Sequence, residues 1–397
     1  MLGWELPPHN SGGLGVACYH LCKSLSKKNI DIEFILPYDA DHKIDFMTVT
    51  AARPQGYASV FRSGIAYDSY KYVKSDGTEE WLDMFGQLEL YEQSVAKLAM
   101  SREFDILHAH DWLTFRAALR VKELKNVPIV LHVHSVESDR AGSKIGNPLV
   151  HEIEEMALNL ADRVIAVSEQ TKQSIIRDYG VPADMIEVVH NSISLEDLSP
   201  LEANNAYTYI EAVRSTGYRV VTSIGRITIQ KGLPNFLRAL QKVVAKAPKT
   251  MALVVGSGEQ LYELIELSAK LGIGANVIFV DFQRGKNLRD AYAVGDLFVM
   301  PSISEPFGLT TLESIAYGTP ALVSKQSGVN EVLRNCLKVD YWDVDEMANM
   351  IAGVMLNDPL RDELLRNSQD EVNRMSWDHS SQKVLDIYDK HFEGAAA

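Results

Sequence analysis

The chain has 397 residues, 46% hydrophobic and 23% charged, with a formal net charge of −14, which is the size and balance of a globular protein with two ordinary domains. Residues 1–200 carry 19 Lys+Arg against 29 Asp+Glu, and the remainder has a net charge of −4, so there is no basic field for nucleic acid and little attraction to anionic lipid. No run of eighteen apolar residues is present, and Met1–Pro8 lacks the basic and apolar regions of a signal peptide, so no stable membrane insertion and a cytoplasmic location are expected.

In chain order, strands and helices alternate, the pattern of doubly wound α/β domains. Only Met1–Trp4 is available for a first strand, and a few more residues upstream are expected. Next comes Ser11-Gly12-Gly13-Leu14-Gly15, which opens a helix with apolar spacing over Leu14–Lys28. Cys18 and Cys22 lie on that helix and Cys336 is remote, without CxxC or metal-ligand spacing, so all three read as small buried residues. A strand at Ile32–Leu36 follows. Residues 46–90, with Tyr67, Tyr70, Tyr72 and Trp81, suit either a wrapping acceptor loop or a mixed hairpin with core aromatics.

Ile106–Ala109, Ile129–Val133, Val164–Val167 and residues 185–189 continue the strand series. His108, His110, Asp111, His132, His134 and Ser168 cluster at the strand ends, where doubly wound sheets bind ligands. In Leu131-His132-Val133-His134, alternation puts both histidines on one face. His108-Ala-His110-Asp111-Trp112 admits a positioning or acceptor role; metal is not expected, because no third or fourth ligand is in register.

The polar stretch 196–217 reads as a link with a short helix. A second strand series follows at Val220–Ser223, Met251–Val255, Val277–Val280, Leu297–Met300 and Ala321–Val323, and 359–391 is helical. Gly394-Ala-Ala-Ala397 is excluded from the fold. The expected domains are 1–195 and 196–376, with 377–397 a helix packing back toward the first. Two similar sheet domains in tandem are expected to face each other across a cleft.

Three motifs of the second half carry chemistry. In Gly225-Arg226-Ile-Thr-Ile-Gln230-Lys231-Gly232, two cations follow a strand end, suited to a diphosphate. Val255-Gly256-Ser257-Gly258 marks a βα turn able to pass beneath a nucleotide. In Pro301-Ser-Ile-Ser-Glu305-Pro-Phe-Gly-Leu-Thr-Thr-Leu-Glu313, two carboxylates stand eight positions apart. A helix starting near Phe307 would put Glu313 about one and a half turns inside it. The N–H groups of Phe307, Gly308, Leu309 and Thr310 would open the positive helix end, which receives anions and hydroxyls.

Together, and in order over nearly the whole chain, these motifs resemble the retaining GT-B glycosyltransferases, especially family 4 and the related bacterial glycogen and starch synthases. The Glu305…Glu313 element is the most specific mark. Gly225-Arg226…Lys231-Gly232, the glycine loop at 11–15, His110-Asp111-Trp112 and Ala161-Asp-Arg-Val-Ile-Ala-Val-Ser168 carry the rest. The resemblance implies a GT-B fold of two Rossmann-like domains and transfer of a hexose, glucose foremost, from UDP- or ADP-sugar to a glycan or small hydroxyl acceptor. It implies no cofactor and no metal. Arg226 and Lys231 would hold the diphosphate. Glu305, with Phe307, Gly308, Leu309 and Thr310, would bind sugar hydroxyls, and Glu313 the ribose. His134 would lie near the anomeric centre. Gly12, Gly13 and Gly256 would let backbone approach the donor, and His110 and Asp111 would lie on the acceptor side. ADP-glucose-using glycogen synthases carry Lys-x-Gly-Gly-Leu-Gly-Asp-Val, whereas Asn10 and Val16 stand at the Lys and Asp positions here.

Two other readings stay open: a phosphorylase or sugar-nucleotide epimerase of the same fold, and a non-catalytic sugar-nucleotide binder. Base, sugar, acceptor, linkage and oligomeric state are not legible.

Overall fold

The computed structural model describes residues 1–10, 12–62, 70–142 and 146–392. Ser11, Tyr67 and Gly394–Ala397, singled out above, lie outside them. The chain forms two compact units. Met1–Glu137, Ile145–Asn191 and Trp377–Ala397 make the first; Ser138–Lys144 and Ser192–Ser376 make the second.

In the first unit, strands β1 (Glu33–Leu36) and β2 (Thr48–Ala51) pair in parallel. Strands β3 (Tyr57–Arg62), β4 (Tyr70–Lys74) and β5 (Glu79–Trp81) form a separate antiparallel sheet. This sheet takes up most of the stretch that the sequence leaves between wrapping loop and hairpin. Tyr70 and Tyr72 are buried in it, while Trp81 is 61% exposed. Strands β6 (Leu107–His110), β7 (Ile129–Val133), β8 (Arg163–Ala166) and β9 (Ile186–Val188) form a parallel sheet in that order.

Leu2 adds a single-residue bridge to this sheet in place of a full first strand. Leu2 bridges Ile35 on one side and Ala109 on the other, both in parallel. Its N–H donates to the His108 carbonyl (2.8 Å), and its carbonyl accepts from the His110 N–H (3.0 Å). The spatial order is therefore β2-β1-Leu2-β6-β7-β8-β9, with the order reversing between Leu2 and β6.

Helix Gly13–Ser26 follows that short strand and buries Leu14, Ala17, Cys18, Leu21, Cys22 and Leu25. This spacing is one apolar face of an α-helix, and it explains why both cysteines are interior. Helix Trp377–His391 belongs to the same unit. Asp378 and Ser381 hydrogen-bond Ser24 Oγ at 2.7 and 2.8 Å, and Trp377 stacks on His20.

The second unit has one all-parallel sheet. Its strands are β10 (Arg219–Ile224), β11 (Thr250–Val255), β12 (Val277–Val280), β13 (Leu297–Met300), β14 (Ala321–Ser324) and β15 (Leu337–Val339). Their order is β12-β11-β10-β13-β14-β15, the 3-2-1-4-5-6 arrangement of dinucleotide-binding sheets. β11, β13 and β14 are buried along their whole length, as expected for strands covered on both faces. Helix Leu233–Lys246 packs Phe236, Leu237, Leu240 and Val243 into this core. The short strand β15 has no apolar run that would announce it. Among the described residues no helix is long and apolar enough to cross a membrane.

Candidate active site

In the second unit the strand order reverses between β10 and β13, and ligands of such sheets bind at this point, outside the carboxyl ends of the strands. The loops leaving β10 and β13 carry Arg226, Lys231 and Glu305. Lys231 Nζ lies 2.5 Å from Glu305 Oε2, and the Ser302 hydroxyl donates to the same oxygen at 3.0 Å. Glu305 is only 8% exposed, so these partners stand in for the water its carboxylate loses. Arg226 and Lys231 line one pocket with Gly225, Pro301 and Ser302. Residues 74 positions apart in sequence thus meet at one point.

Backbone geometry makes that meeting possible. A Cβ on Gly232 would stand 2.2 Å from the Pro301 carbonyl oxygen, so the close approach of the β10 and β13 loops at this point requires glycine. Gly256, at the end of β11, has φ +148°, and a Cβ there would stand 1.8 Å from the Gly225 carbonyl oxygen. Its role in the fold is therefore to let the β10 and β11 loops nest. Gly308 has φ +108°, with Met300 Cε 2.8 Å from where its Cβ would be.

The helix after β13 spans Leu309–Ala316, not from Phe307 onward as expected. Gly308, in its left-handed conformation, ends the loop and caps the helix. Glu313 consequently lies just over one turn inside, while Gly308, Leu309 and Thr310 form its positive end. Phe307 is instead buried in the loop, its carbonyl accepting from the Val329 N–H (2.7 Å). Glu305 is tied to the next loop as well: its N–H donates to the Gln326 carbonyl (2.9 Å) and its carbonyl accepts from the Gly328 N–H (2.9 Å).

Two partners in this unit are not legible in sequence. The Tyr292 hydroxyl donates to Glu313 Oε2 at 2.6 Å. Burial raises the Glu313 carboxyl above its ordinary range, and the Tyr292 bond opposes that rise. Ser304, next to Glu305, donates to Asp139 at 2.5 Å. Asp139 comes from the short helix Glu137–Ala141, 165 positions away. Neither pair has a spacing signal, because each joins separate elements.

In the first unit the order reverses between Leu2 and β6, and the segments leaving Leu2, β6 and the neighbouring β7 carry the remaining candidates. Gly12 and Gly13 open the helix Gly13–Ser26. Gly12 is extended, and a Cβ on it would meet nothing within 4 Å, so packing does not demand glycine there. Gly15 is the tight position: a Cβ on it would stand 2.8 Å from Asn10 Cβ and 3.1 Å from the Glu5 carbonyl oxygen.

His110 ends β6, and Asp111 follows with φ +62°, an unusual conformation for a non-glycine residue. The Asp111 carboxylate accepts the N–H groups of His134 (2.7 Å) and Ser135 (3.1 Å). It therefore braces the end of β7 on which His134 stands.

Four imidazoles gather here. His108 stacks on His110 and His132 on His134, each pair at 4.5 Å. Parallel pairing of β6 and β7 sets His110 opposite His132. The expectation that no third ligand lies in register is thereby corrected. His108, His110 and His132 each offer a ligand atom within 4.8 Å of the others, as do Cys18, His110 and His134. The sequence spacing hides this, because strand register rather than local periodicity assembles the group. Burial holds all four histidines neutral, with His134 lowered to about 3 and the others well below their usual range.

Comparison with known proteins bears on both units. The family model "Glycosyltransferase Family 4" matches residues 11–197, and "Glycosyl transferases group 1" matches residues 210–371. The chain is 27% identical to an uncharacterized glycosyltransferase of Methanocaldococcus jannaschii, over 98% of this chain and 97% of that protein. Among solved structures, sucrose-phosphate synthase from Thermosynechococcus elongatus superposes with a TM-score of 0.77 at 18% identity, over 100% of this chain and 98% of the other. HepE of Anabaena, solved in complex with UDP-glucose, superposes with a TM-score of 0.72 at 19% identity, over 98% of each chain.

Proposed function

The chain belongs to the family 4 glycosyltransferases and has the GT-B fold, and from that premise we propose that it moves a hexose, glucose foremost, from UDP- or ADP-sugar to a hydroxyl acceptor with retention of configuration. The observation that carries this reading is the meeting of Arg226, Lys231 and Glu305 at the switch point of the second sheet. Two cations and a carboxylate on facing loops suit a diphosphate joined to a polyhydroxylated sugar.

In this reading Lys231 exchanges part of its pairing with Glu305 for the donor phosphates, and Arg226 shares the negative charge. Both cations then stabilise the leaving nucleoside diphosphate as the glycosidic bond breaks. Glu305 is freed to accept from sugar hydroxyls beside the N–H groups of Gly308, Leu309 and Thr310. Glu313, oriented by Tyr292, accepts from the ribose. Gly12 and Gly13 permit close backbone approach to the donor, and His134 orients the sugar. His110 and Asp111 act through His134 rather than on the acceptor. The acceptor proton goes to the departing phosphate, so no protein nucleophile is required. The two cations do the work for which other transferases use a divalent metal.

UDP-glucose in the structural neighbour HepE supports a uridine donor, and Asn10 and Val16 in place of Lys and Asp argue against the narrower ADP-glucose and glucan assignment. The test is a screen of nucleoside diphosphate release from UDP-, ADP- and GDP-sugars, with and without glycans and small polyols. Release stimulated by an acceptor is expected for one sugar nucleotide. Binding of UDP without release from any donor would favour the non-catalytic reading.

A further inference from the structure

The histidine group of the first unit contains more order than donor contact requires. His108 Nε2 lies 3.2 Å from His132 Nδ1, and His110 Nδ1 lies 3.1 Å from His134 Nε2. His108 Nδ1 meets the Tyr388 hydroxyl. His110 Nε2 and His132 Nε2 are sealed from solvent and have no hydrogen-bond partner among the described residues. Only His134 is partly exposed, and its Nδ1 is not among the sealed atoms.

A neutral imidazole has one N–H and one lone pair. Each of the two sealed Nε2 atoms is therefore either an unpaired N–H group or an unpaired lone pair. Orphaned buried N–H groups are the rarer and costlier of the two. Taking the lone pairs puts the hydrogen of His110 and of His132 on Nδ1. His132 then donates to His108 Nε2, which leaves His108 its hydrogen on Nδ1, toward Tyr388. His110 donates to His134 Nε2, which leaves His134 its hydrogen on Nδ1. One assignment satisfies every contact, with all four rings as the Nδ1–H tautomer. The Cys18 thiol is pushed up by burial and stays neutral, and the Asp111 carboxylate is engaged by the N–H groups of His134 and Ser135.

We infer that His110 is a positioning residue whose Nδ1–H donates to His134 Nε2, so that His134 presents an N–H donor, through Nδ1, to an oxygen of its ligand. That this ligand is the sugar nucleotide rests on the function proposed above; the tautomer assignment does not. His134 is then neither a base nor a cation, and its partners are sugar hydroxyl or phosphate oxygens. His108, His132 and Tyr388 brace the stack from behind.

The test is long-range proton–nitrogen correlation NMR on the full chain labelled with 15N-histidine, with His134 identified by its loss in His134→Asn. The expected spectrum has pyrrole-type Nδ1 and pyridine-type Nε2 on His134 and His110. A hydrogen on His134 Nε2, hydrogens on both nitrogens, or a stoichiometric metal on the rings of untagged protein would overturn the assignment. In His110→Leu the His134 signals are expected to shift toward a mixture of tautomers. Donor turnover should fall about tenfold or more, as when a partner that orients a functional histidine is removed. His110→Asn, whose amide can donate to Nε2, should restore the Nδ1–H signature. An unchanged His134 spectrum in a folded His110→Leu would refute the positioning role; if that variant fails to fold, the wild-type spectrum decides. Absence of turnover on any donor, with the expected spectrum intact, would refute the donor reading alone.

Discussion

All eleven histidines of the chain lie in the first unit and none in the second. Each unit has its own parallel sheet whose strand order reverses once, and each places its candidate residues at the carboxyl ends of strands at or next to the reversal. What they put there differs. The second unit offers fixed charge, in Arg226, Lys231 and Glu305. The first offers neutral donors and acceptors, in a stack of imidazoles kept uncharged by burial. One topology thus gathers fixed charge in one unit and uncharged hydrogen-bonding groups in the other.

The largest effect expected is on the charged side. Glu305→Gln should lower transfer by about 100-fold or more with little change in melting, the size seen when a preorganised electrostatic contact is lost. Steady-state release assays would read it, and near-wild-type turnover would remove Glu305 from the site. Gly256→Ala comes next. Its Cβ collides with the Gly225 carbonyl at positive φ, so a loss of about 3 kcal/mol is expected in denaturant titration. An unaffected midpoint would mean that the loops separate easily.

The neutral side should reveal itself through acid. Histidines with a lowered folded pKa contribute stability that is fully present above their unfolded value near 6.5 and is lost as pH falls toward the folded value, about 3 for His134. Each such group should add about 1.4 kcal/mol per pH unit of destabilisation below pH 6.5. Melting between pH 7 and pH 5 should therefore soften the first unit more than the second, resolved by hydrogen exchange on each sheet. Equal acid sensitivity in both units would contradict the comparison. The smallest effect is expected from Tyr292→Phe, which removes one hydrogen bond to Glu313 and should cost about 1 kcal/mol in nucleotide affinity.

Much of the second unit is legible because its strands are continuous apolar runs. Val277–Val280 and Leu297–Met300 are read to the residue, since Asn276, Asp281, Asp296 and Pro301 bound the apolar runs sharply. The expected helix after Glu305 starts two positions early, because the left-handed Gly308 decides where the helix begins. The sheet β3–β4–β5 is ambiguous because its alternation is broken at Ser59, where the register shifts. The facing of His132 and His134 follows from strand alternation alone. The imidazole array does not, because it depends on which strand lies beside which and in what register. The same holds for Tyr292 with Glu313 and for Ser304 with Asp139, contacts made between elements whose order in space no local pattern encodes.

The central claim is that the β10 and β13 loops hold a nucleoside diphosphate through Lys231. Calorimetric titration of UDP and ADP into wild-type protein and Lys231→Ala tests it most directly. The account predicts that one nucleotide binds the wild type and that its affinity falls at least tenfold in the variant, measured at a temperature where both proteins are folded. Equal affinity in the two folded proteins would contradict it.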